Sequence, residues 1–171
     1  SVDMTHLIRE ISIKDVENFI SLLSQIYDES EFTFYNPGEY SPTISSASQH
    51  LEKYITSPTK AIYVAESDEQ LVGYVFVNTE TYERTQHEAM VYLGVREYYQ
   101  HQGIGQALIN RIEAWALNHH IRRIEATVVT ENINAIELFK GMGFQIEGEL
   151  KDKLFINQKY YNEYVMAKIL N

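Results

Sequence analysis

The sequence predicts an α/β (α+β) fold in which helices cover both faces of a central, mixed and mostly antiparallel sheet. Two helical segments are followed by a strand meander and then by two strand–helix crossings, an order typical of this class. With 171 residues, 44% hydrophobic and 22% charged, the chain can bury a proper core. We expect a single domain over 1–171 and interpret residues 1–3, which precede Met4, as a cloning remnant.

The first half of the chain is predicted to begin with a strand at 7–11. Apolar residues at 16, 20, 23 and 26 recur at helical spacing and predict a helix over 14–28. After a turn at Asn36-Pro-Gly, a second apolar stripe predicts a helix over 47–55 that ends before Pro58. Strands at 61–66 and 71–79, joined by Ser67-Asp-Glu-Gln, are typical of a hairpin.

The second half is predicted to alternate strands and helices. A strand at 88–95 precedes a helix over 103–118 whose buried face carries Ile104, Leu108, Ile112 and Trp115. A strand at 123–130 precedes a helix over 134–142, which Asn134 is expected to cap because Asn134-Ala-Ile-Glu137 has capping-box spacing. Strands near 144–150, 153–157 and 160–169 complete the sheet.

Composition excludes several classes of function. A net charge of −10 argues against nucleic-acid binding, because phosphate contacts require clustered Lys and Arg. The absence of cysteine excludes disulfides, thiolate metal sites and a covalent cysteine intermediate. No stretch is apolar enough to span a membrane and no secretory signal opens the chain, so a cytoplasmic location is expected. No metal site is expected, since His119 and His120 suit a helix C-terminus instead.

The segment after the strand at 88–95 predicts an anion site. A polar loop leads to Gly103 and Gly105, which open the next helix. The first amides of a helix lack internal partners, the helix dipole is positive there, and glycine admits a ligand close to the backbone. The segment lacks the Lys-Ser/Thr of a P-loop and the third glycine of the dinucleotide fingerprint. We interpret it as a pyrophosphate site, with a helix start that merely uses glycine as the alternative.

Two more segments carry a family resemblance. They are the strand Ile124–Thr130 and the helix Asn132-Ile-Asn-Ala-Ile-Glu-Leu-Phe139-Lys-Gly-Met-Gly-Phe144. Together with Gln100-x-x-Gly103-x-Gly105, they make the chain similar to the GNAT superfamily of acyl-coenzyme A-dependent N-acetyltransferases, from Ile8 to Leu170. The resemblance implies a GNAT fold in which the strands ending near Val95 and Thr130 are parallel neighbours that splay apart. It also implies acetyl-CoA as co-substrate.

The same resemblance implies which residues hold coenzyme A. They are Leu93, Val95, Gln100, His101, Gln102, Gly103, Ile104, Gly105, Gln106, Asn132, Ala135 and Phe139. Phe139 departs from the family, which usually has a Tyr whose hydroxyl protonates the departing thiolate in many members. The loop carries no Lys or Arg, so Arg96, Arg111 and Lys140 are the nearby cations expected to assist.

The catalytic residues are predicted near the start of the strand at 88–95 and on the last strand. Transfer to an amine requires loss of a proton, because an ammonium has no lone pair, and Glu88 or His87 could accept it. An ordinary exposed glutamate is the alternative for Glu88. Tyr161 is the predicted donor to the thiolate, with Tyr92, Tyr160, Tyr164 or water as alternatives, although paired strand tyrosines are usually packing residues.

The acceptor site is predicted from charge. Between residues 15 and 52 there are seven acids and no Lys or Arg, which suits a cationic amine unless this is only a solvated acidic face. Glu29, Phe32 and Phe34 from this region, with Tyr160, are the predicted substrate-binding residues.

The sequence therefore predicts an N-acetyltransferase. It would move acetyl from acetyl-CoA directly to the primary amine of a small molecule, such as an amino acid or polyamine, in a ternary complex. The alternatives are a protein N-terminal or lysine acetyltransferase, a coenzyme A-binding module without turnover, and an unrelated nucleotide-binding protein. A homodimer is compatible with the resemblance.

Overall fold

A computed structural model describes residues 6–171, so the interpretation of residues 1–3 lies outside the described part. The helices are α1 (Val16–Glu29), α2 (Ile44–Ile55), α3 (Ile104–Asn118) and α4 (Ile133–Gly141). The strands are β1 (His6–Glu10), β2 (Lys60–Ser67), β3 (Gln70–Thr79), β4 (Glu88–Val95), β5 (Arg123–Val129), β6 (Gln145–Ile156) and β7 (Lys159–Ile169). Single 3₁₀ turns lie at Ile13–Asp15 and Glu97–Tyr99.

The seven strands form one sheet in the order β1-β2-β3-β4-β5-β7-β6. Only β4 and β5 are parallel among the described strands, and every other neighbouring pair is antiparallel. The predicted mixed, mostly antiparallel sheet is therefore confirmed. The parallel pairing covers Glu88–Met90 against Arg123–Glu125 and then stops, so the two strands separate toward their C-terminal ends.

Two apolar clusters occupy the two faces of the sheet. Helix α3 buries Leu108 and Ile112 against one face, where α4 adds Ile136 and Phe139. On the other face, α1 and α2 pack through Leu22 and other apolar residues against inward-facing residues of β2 and β3. The alternation of strand side chains thus supplies both cores, and helices cover both faces as predicted.

Three local predictions need correction. The strands expected near 144–150 and 153–157 form one strand, β6, whose pairing with β7 shifts between Leu150 and Leu154. Helix α2 begins at Ile44, three residues before its predicted start, because the Thr43 side chain caps it by accepting from the Ser46 amide. The prediction that Asn134 caps α4 is wrong, since Asn132 is the cap.

Candidate active site

A cavity of about 1030 Å³ opens where β4 and β5 separate. Val91–Val95 and residues 126–129 line it from the two strands, and the starts of α3 and α4 line it from one end. We call the space between the two strands beyond Met90 the wedge. Backbone groups that face the wedge have no neighbouring strand to pair with, so a ligand can take that place.

The start of α3 has the geometry of an anion site. Gly103 is its N-cap with φ 83° and ψ 4°, a left-handed conformation that favours glycine. The first described amide of the helix with an internal acceptor is that of Ala107, which donates to Gly103 O. The preceding amides lack such acceptors and are available to a ligand. No atom lies within 4 Å of where a Cβ on Gly103 would stand, so the space above the backbone is open.

Gly105 serves helix packing. A Cβ at this position would lie 2.8 Å from Leu138 Cδ2, which is closer than real contacts allow. The missing side chain therefore lets α3 and α4 approach each other beside the wedge. The contact joins the start of α3 to Leu138 of α4, and both line the cavity.

Most of the residues that the resemblance assigned to coenzyme A line this cavity. They are Leu93, Val95, Gln100, His101, Gly103, Ile104, Gly105, Gln106, Asn132, Ala135 and Phe139. Gln102 is not among the lining residues; its side-chain amide donates to Tyr98 O and its oxygen contacts His6 Nε2 at 3.1 Å. Asn132 lines the cavity, but its Oδ1 already accepts from the Ala135 amide as the α4 cap.

The cations expected near the glycine loop lie elsewhere. Arg96 donates to Glu29 at 2.6 Å and to Gln25 at 2.9 Å. The Arg111 guanidinium lies 5.0 Å from the centre of the Tyr63 ring. Neither arginine lines the cavity, and neither does Lys140. The expectation that these three assist an anionic ligand is therefore not supported by their positions.

Glu29 lines the cavity but is already engaged. One carboxylate oxygen accepts from Arg96 Nε at 2.6 Å and the other accepts from the Glu97 amide at 2.8 Å. The carboxylate thus ties the end of α1 to the segment after β4. Its internal partner neutralises most of its attraction for a cationic acceptor, so its role in acceptor binding stays a prediction.

Of the aromatic residues predicted to bind the acceptor, two line the cavity and one does not. Phe32 and Phe34 both line the cavity, and the Phe32 ring makes an edge contact with Tyr161 at 5.8 Å. Tyr160 lies outside the cavity, is 60% exposed and packs on Phe155. Alternate residues of a strand face opposite sides of the sheet. The side chain of Tyr160 therefore lies on the face opposite the site.

His87 and Glu88, the two predicted bases, lie outside the lining of the cavity. Glu88 lies 3.7 Å from Arg123 at the closed end of the wedge. Along an extended strand, Glu88 is roughly 23 Å from Val95, at about 3.3 Å per residue. Their positions do not support a direct role at the C-terminal end of β4, and the prediction that either residue accepts the proton of the amine, directly or through water, stays a prediction.

The tyrosines considered as thiolate donors also separate by position. Tyr160, Tyr161 and Tyr164 do not line the cavity, whereas Tyr92 does. Phe139 is 5% exposed and contacts Phe144 edge-on at 5.0 Å, so the position of the family Tyr holds a packed ring without a hydroxyl. Tyr161 instead supports the ring of Phe32.

A group of tyrosines closes the side of the cavity next to α1. Tyr27 packs against Tyr35 at 5.0 Å and Tyr40 at 5.2 Å. Burial raises the pKa of Tyr27 and Tyr74, and it raises the pKa of Tyr40 to about 12. These phenols therefore remain neutral at physiological pH. Their rings form an apolar surface that carries hydroxyl groups at its edge.

Sequence reasoning missed Glu163 and Lys153, which both line the cavity. Glu163 on β7 pairs with Val129, so it lies one strand out from the open end of the wedge. Burial raises its pKa above the ordinary range, although the charge of Lys153 acts in the opposite direction. An acid among the aromatic and apolar residues of 160–166 was the signal that could have identified Glu163.

Over residues 6–171, no group of three or more His, Asp or Glu side chains could hold a metal ion. In the same range, no helix is both long and apolar enough to cross a bilayer.

Comparison with known proteins gives consistent matches. A family model described as an acetyltransferase (GNAT) domain matches residues 8–165. An L-amino acid N-acetyltransferase of Escherichia coli (strain K12) is 31% identical over 107 residues. That match covers 62% of this chain and 66% of the relative, so it spans slightly less than two thirds of the relative's length.

Solved structures share the fold over nearly the whole chain. An acetyltransferase of the GNAT family from Streptococcus pneumoniae matches with a TM-score of 0.91 and 26% identity, covering 96% of this chain and 99% of that one. A GNAT superfamily phosphinothricin acetyltransferase from Sinorhizobium meliloti, solved in complex with AcCoA, matches with a TM-score of 0.85. It is 16% identical over 98% of this chain and 90% of that one, a likeness of fold alone.

Proposed function

This chain belongs to the GNAT acetyltransferase family, and we propose that it transfers acetyl from acetyl-CoA directly to the primary amine of a small molecule. The observation that carries the proposal is the wedge between β4 and β5, with the unpaired amides of α3 at one end of its cavity. The name of the Escherichia coli relative supports an L-amino acid as the acceptor class.

The arrangement of the site suits acetyl-CoA. The left-handed Gly103 and the open space above it allow a pyrophosphate to approach the first amides of α3. The wedge-facing backbone of β4 and β5 offers hydrogen-bonding groups to the amides of the pantetheine arm. Because the cavity lacks the cations expected around the loop, backbone amides and the helix dipole supply most of the attraction for the phosphates.

The proposed reaction forms a C–N bond and breaks a C–S bond. The neutral amine attacks the thioester carbonyl, whose developing negative charge a strand amide near Val95 stabilises. An ammonium acceptor loses two protons overall: one goes to a base, and one accompanies the thiolate as it leaves as a thiol. Phe139 has no hydroxyl to pass the second amine proton to the sulfur, which leaves water or the cavity-lining Tyr92 as the group that relays it.

The proposal is tested first by calorimetric titration with acetyl-CoA, with NAD and ATP as comparison ligands. Saturable binding of acetyl-CoA alone is expected. A thiol-release assay with amino acids and polyamines then tests turnover. Binding of NAD or ATP in preference to acetyl-CoA would refute the proposed co-substrate. Binding of acetyl-CoA without thiol release for any amine would indicate a coenzyme A-binding module.

A further inference from the structure

Glu163 and Lys153 are an acid and a cation of the cavity that no internal partner engages. Glu31, Glu97 and Glu137 are further lining acids, whereas Lys153 is the only Lys or Arg among the described residues that line the cavity. Glu163 and Lys153 both line it, yet within residues 6–171 neither side chain forms a hydrogen bond or an ion pair, with each other or with another residue. They are close enough for the charge of Lys153 to act on Glu163. By contrast, the carboxylate of Glu29 in the same cavity forms an ion pair with Arg96.

The strand geometry explains why these two charges face the same space. Glu163 pairs with Val129 on one side and Leu150 on the other, and directly paired residues lie on the same face of a sheet. Lys153 belongs to the irregular part of β6, where the pairing shifts between Leu150 and Leu154. Asp152 there has φ 49°, so the backbone turns locally, and Lys153 lines the cavity next to the row of Glu163.

We propose that Glu163 and Lys153 form an acceptor subsite for α-amino acids, in which Lys153 binds the carboxylate and Glu163 binds and deprotonates the α-amine. This inference rests on the proposed acetyl transfer. An α-amino acid carries an ammonium and a carboxylate separated by one carbon atom, which matches two nearby, unpaired and opposite charges. An acceptor without a carboxylate would leave Lys153 without a partner.

The subsite also assigns a base that lines the cavity, which Glu88 and His87 do not. The ammonium transfers one proton to the Glu163 carboxylate, and the neutral nitrogen then forms the bond to the acetyl carbon. The C–S bond breaks, and the second amine proton accompanies the thiolate. Burial raises the pKa of Glu163 above that of an exposed glutamate. Its ionised carboxylate is therefore the stronger base of the two.

Other charges that border the site set the electrostatic background of Glu163. From β6 it faces Lys153, while β5 contributes Thr127 and Val129, which do not titrate near neutral pH. The segment after α1 contributes Glu31, and Glu29 is neutralised by Arg96. Glu97 and His101 from the segment after β4 and Glu137 from α4 also line the cavity. On β7 itself, Tyr161 shares the face of Glu163.

The test compares two pairs of acceptors that differ only in the carboxylate: L-phenylalanine with 2-phenylethylamine, and L-methionine with 3-(methylthio)propylamine. For Lys153→Met, we expect the KM of the amino acids to rise roughly 10- to 100-fold, the loss expected for one charge-assisted hydrogen bond. The KM of the two simple amines and the affinity for acetyl-CoA should not change. Lys151→Met is the matched control, because Lys151 is 80% exposed and lies outside the cavity.

For Glu163→Gln, we expect kcat/KM to fall about 100-fold or more for all four acceptors, as for loss of a general base. The fall of kcat/KM on the acidic side of the pH profile should also disappear. Glu131→Gln, which alters an exposed acid outside the cavity, is the control. A merely structural role would lower thermal stability without removing the acidic limb.

Two results would overturn the inference while leaving acetyl transfer intact. One is that Lys153→Met leaves the turnover of amino acids unchanged, or raises the KM of amino acids and of simple amines equally. The other is an acidic limb that persists in Glu163→Gln. If the unaltered protein binds acetyl-CoA but acetylates no amine, the proposed function and this inference both fail.

Discussion

Replacing Gly103 with valine tests the role of the glycine loop in binding acetyl-CoA. The substitution should lower both the stability of the protein and its affinity for acetyl-CoA, and the two losses can be measured separately. Gly103 holds φ 83°, a conformation that costs a residue other than glycine about 1–3 kcal/mol. No atom stands within 4 Å of the added Cβ, so no steric clash increases that cost. For a domain of this size, the melting temperature should fall by about 2–12 °C.

The loss of binding should be much larger than the loss of stability. The valine side chain would occupy the space through which the pyrophosphate approaches the first amides of α3. Each hydrogen bond between an amide and a charged phosphate oxygen contributes about 1.5–3 kcal/mol. Loss of two such bonds would weaken acetyl-CoA binding by about 10²- to 10⁴-fold, which calorimetric titration can measure.

Gly38→Val is the matched control for this experiment. Gly38 has φ 77°, nothing lies within 4 Å of its added Cβ, and it does not line the cavity. The melting temperature of Gly38→Val should therefore fall by a similar amount, while its affinity for acetyl-CoA should stay unchanged. Native affinity in Gly103→Val, or an equal loss of affinity in Gly38→Val, would refute the assignment of the loop to the pyrophosphate.

Three further changes test other parts of the structure. Phe139→Tyr should raise kcat by at least about 10-fold if the thiolate lacks a proton donor, and an unchanged kcat would mean that another group already serves. Asp15→Asn should lower the free energy of unfolding by about 1–3 kcal/mol at neutral pH, because Asp15 accepts two hydrogen bonds from Arg9. Arg9 lowers the pKa of Asp15, so its contribution is present above the ordinary value near 3.9 and is lost as the pH falls through the lowered folded-state pKa. Urea titrations of both proteins across this range should therefore converge at low pH, and a constant difference would contradict the ion pair as the cause. Gly105→Ala should lower stability by about 1–3 kcal/mol through its contact with Leu138, with partial rescue by Leu138→Ala; strictly additive losses in a double-mutant cycle would argue against that contact.

The fold could be predicted from the sequence because its elements have strong local patterns. Apolar residues at helical spacing specify α1 and α3, and short apolar runs between turn residues specify β2 and β3. The predictions that failed are those where two local patterns competed. Both Asn132 and Asn134 could cap α4, and the backbone of residue 132 resolved that competition.

The glycine loop belongs to the part of the site that local sequence specifies. A strand, a polar loop and two glycines before a helix produce unpaired amides wherever they occur, and the structure has this arrangement at Gly103. What the loop binds remains our proposal. The cations expected to assist it were misplaced, because a residue near in sequence, such as Arg96, can be drawn to a distant partner such as Glu29.

By itself, the sequence determined the order of helices and strands, the alternation that builds two cores, and the helix start that offers its amides. The tertiary structure alone decided which charges face the cavity. It places Glu88 at the closed end of the wedge, engages Glu29 with Arg96, and leaves Glu163 and Lys153 unpaired in one space. The physical reason is range: backbone conformation depends on neighbouring residues, whereas the pairing of side-chain charges depends on strands and helices that meet only in the folded chain.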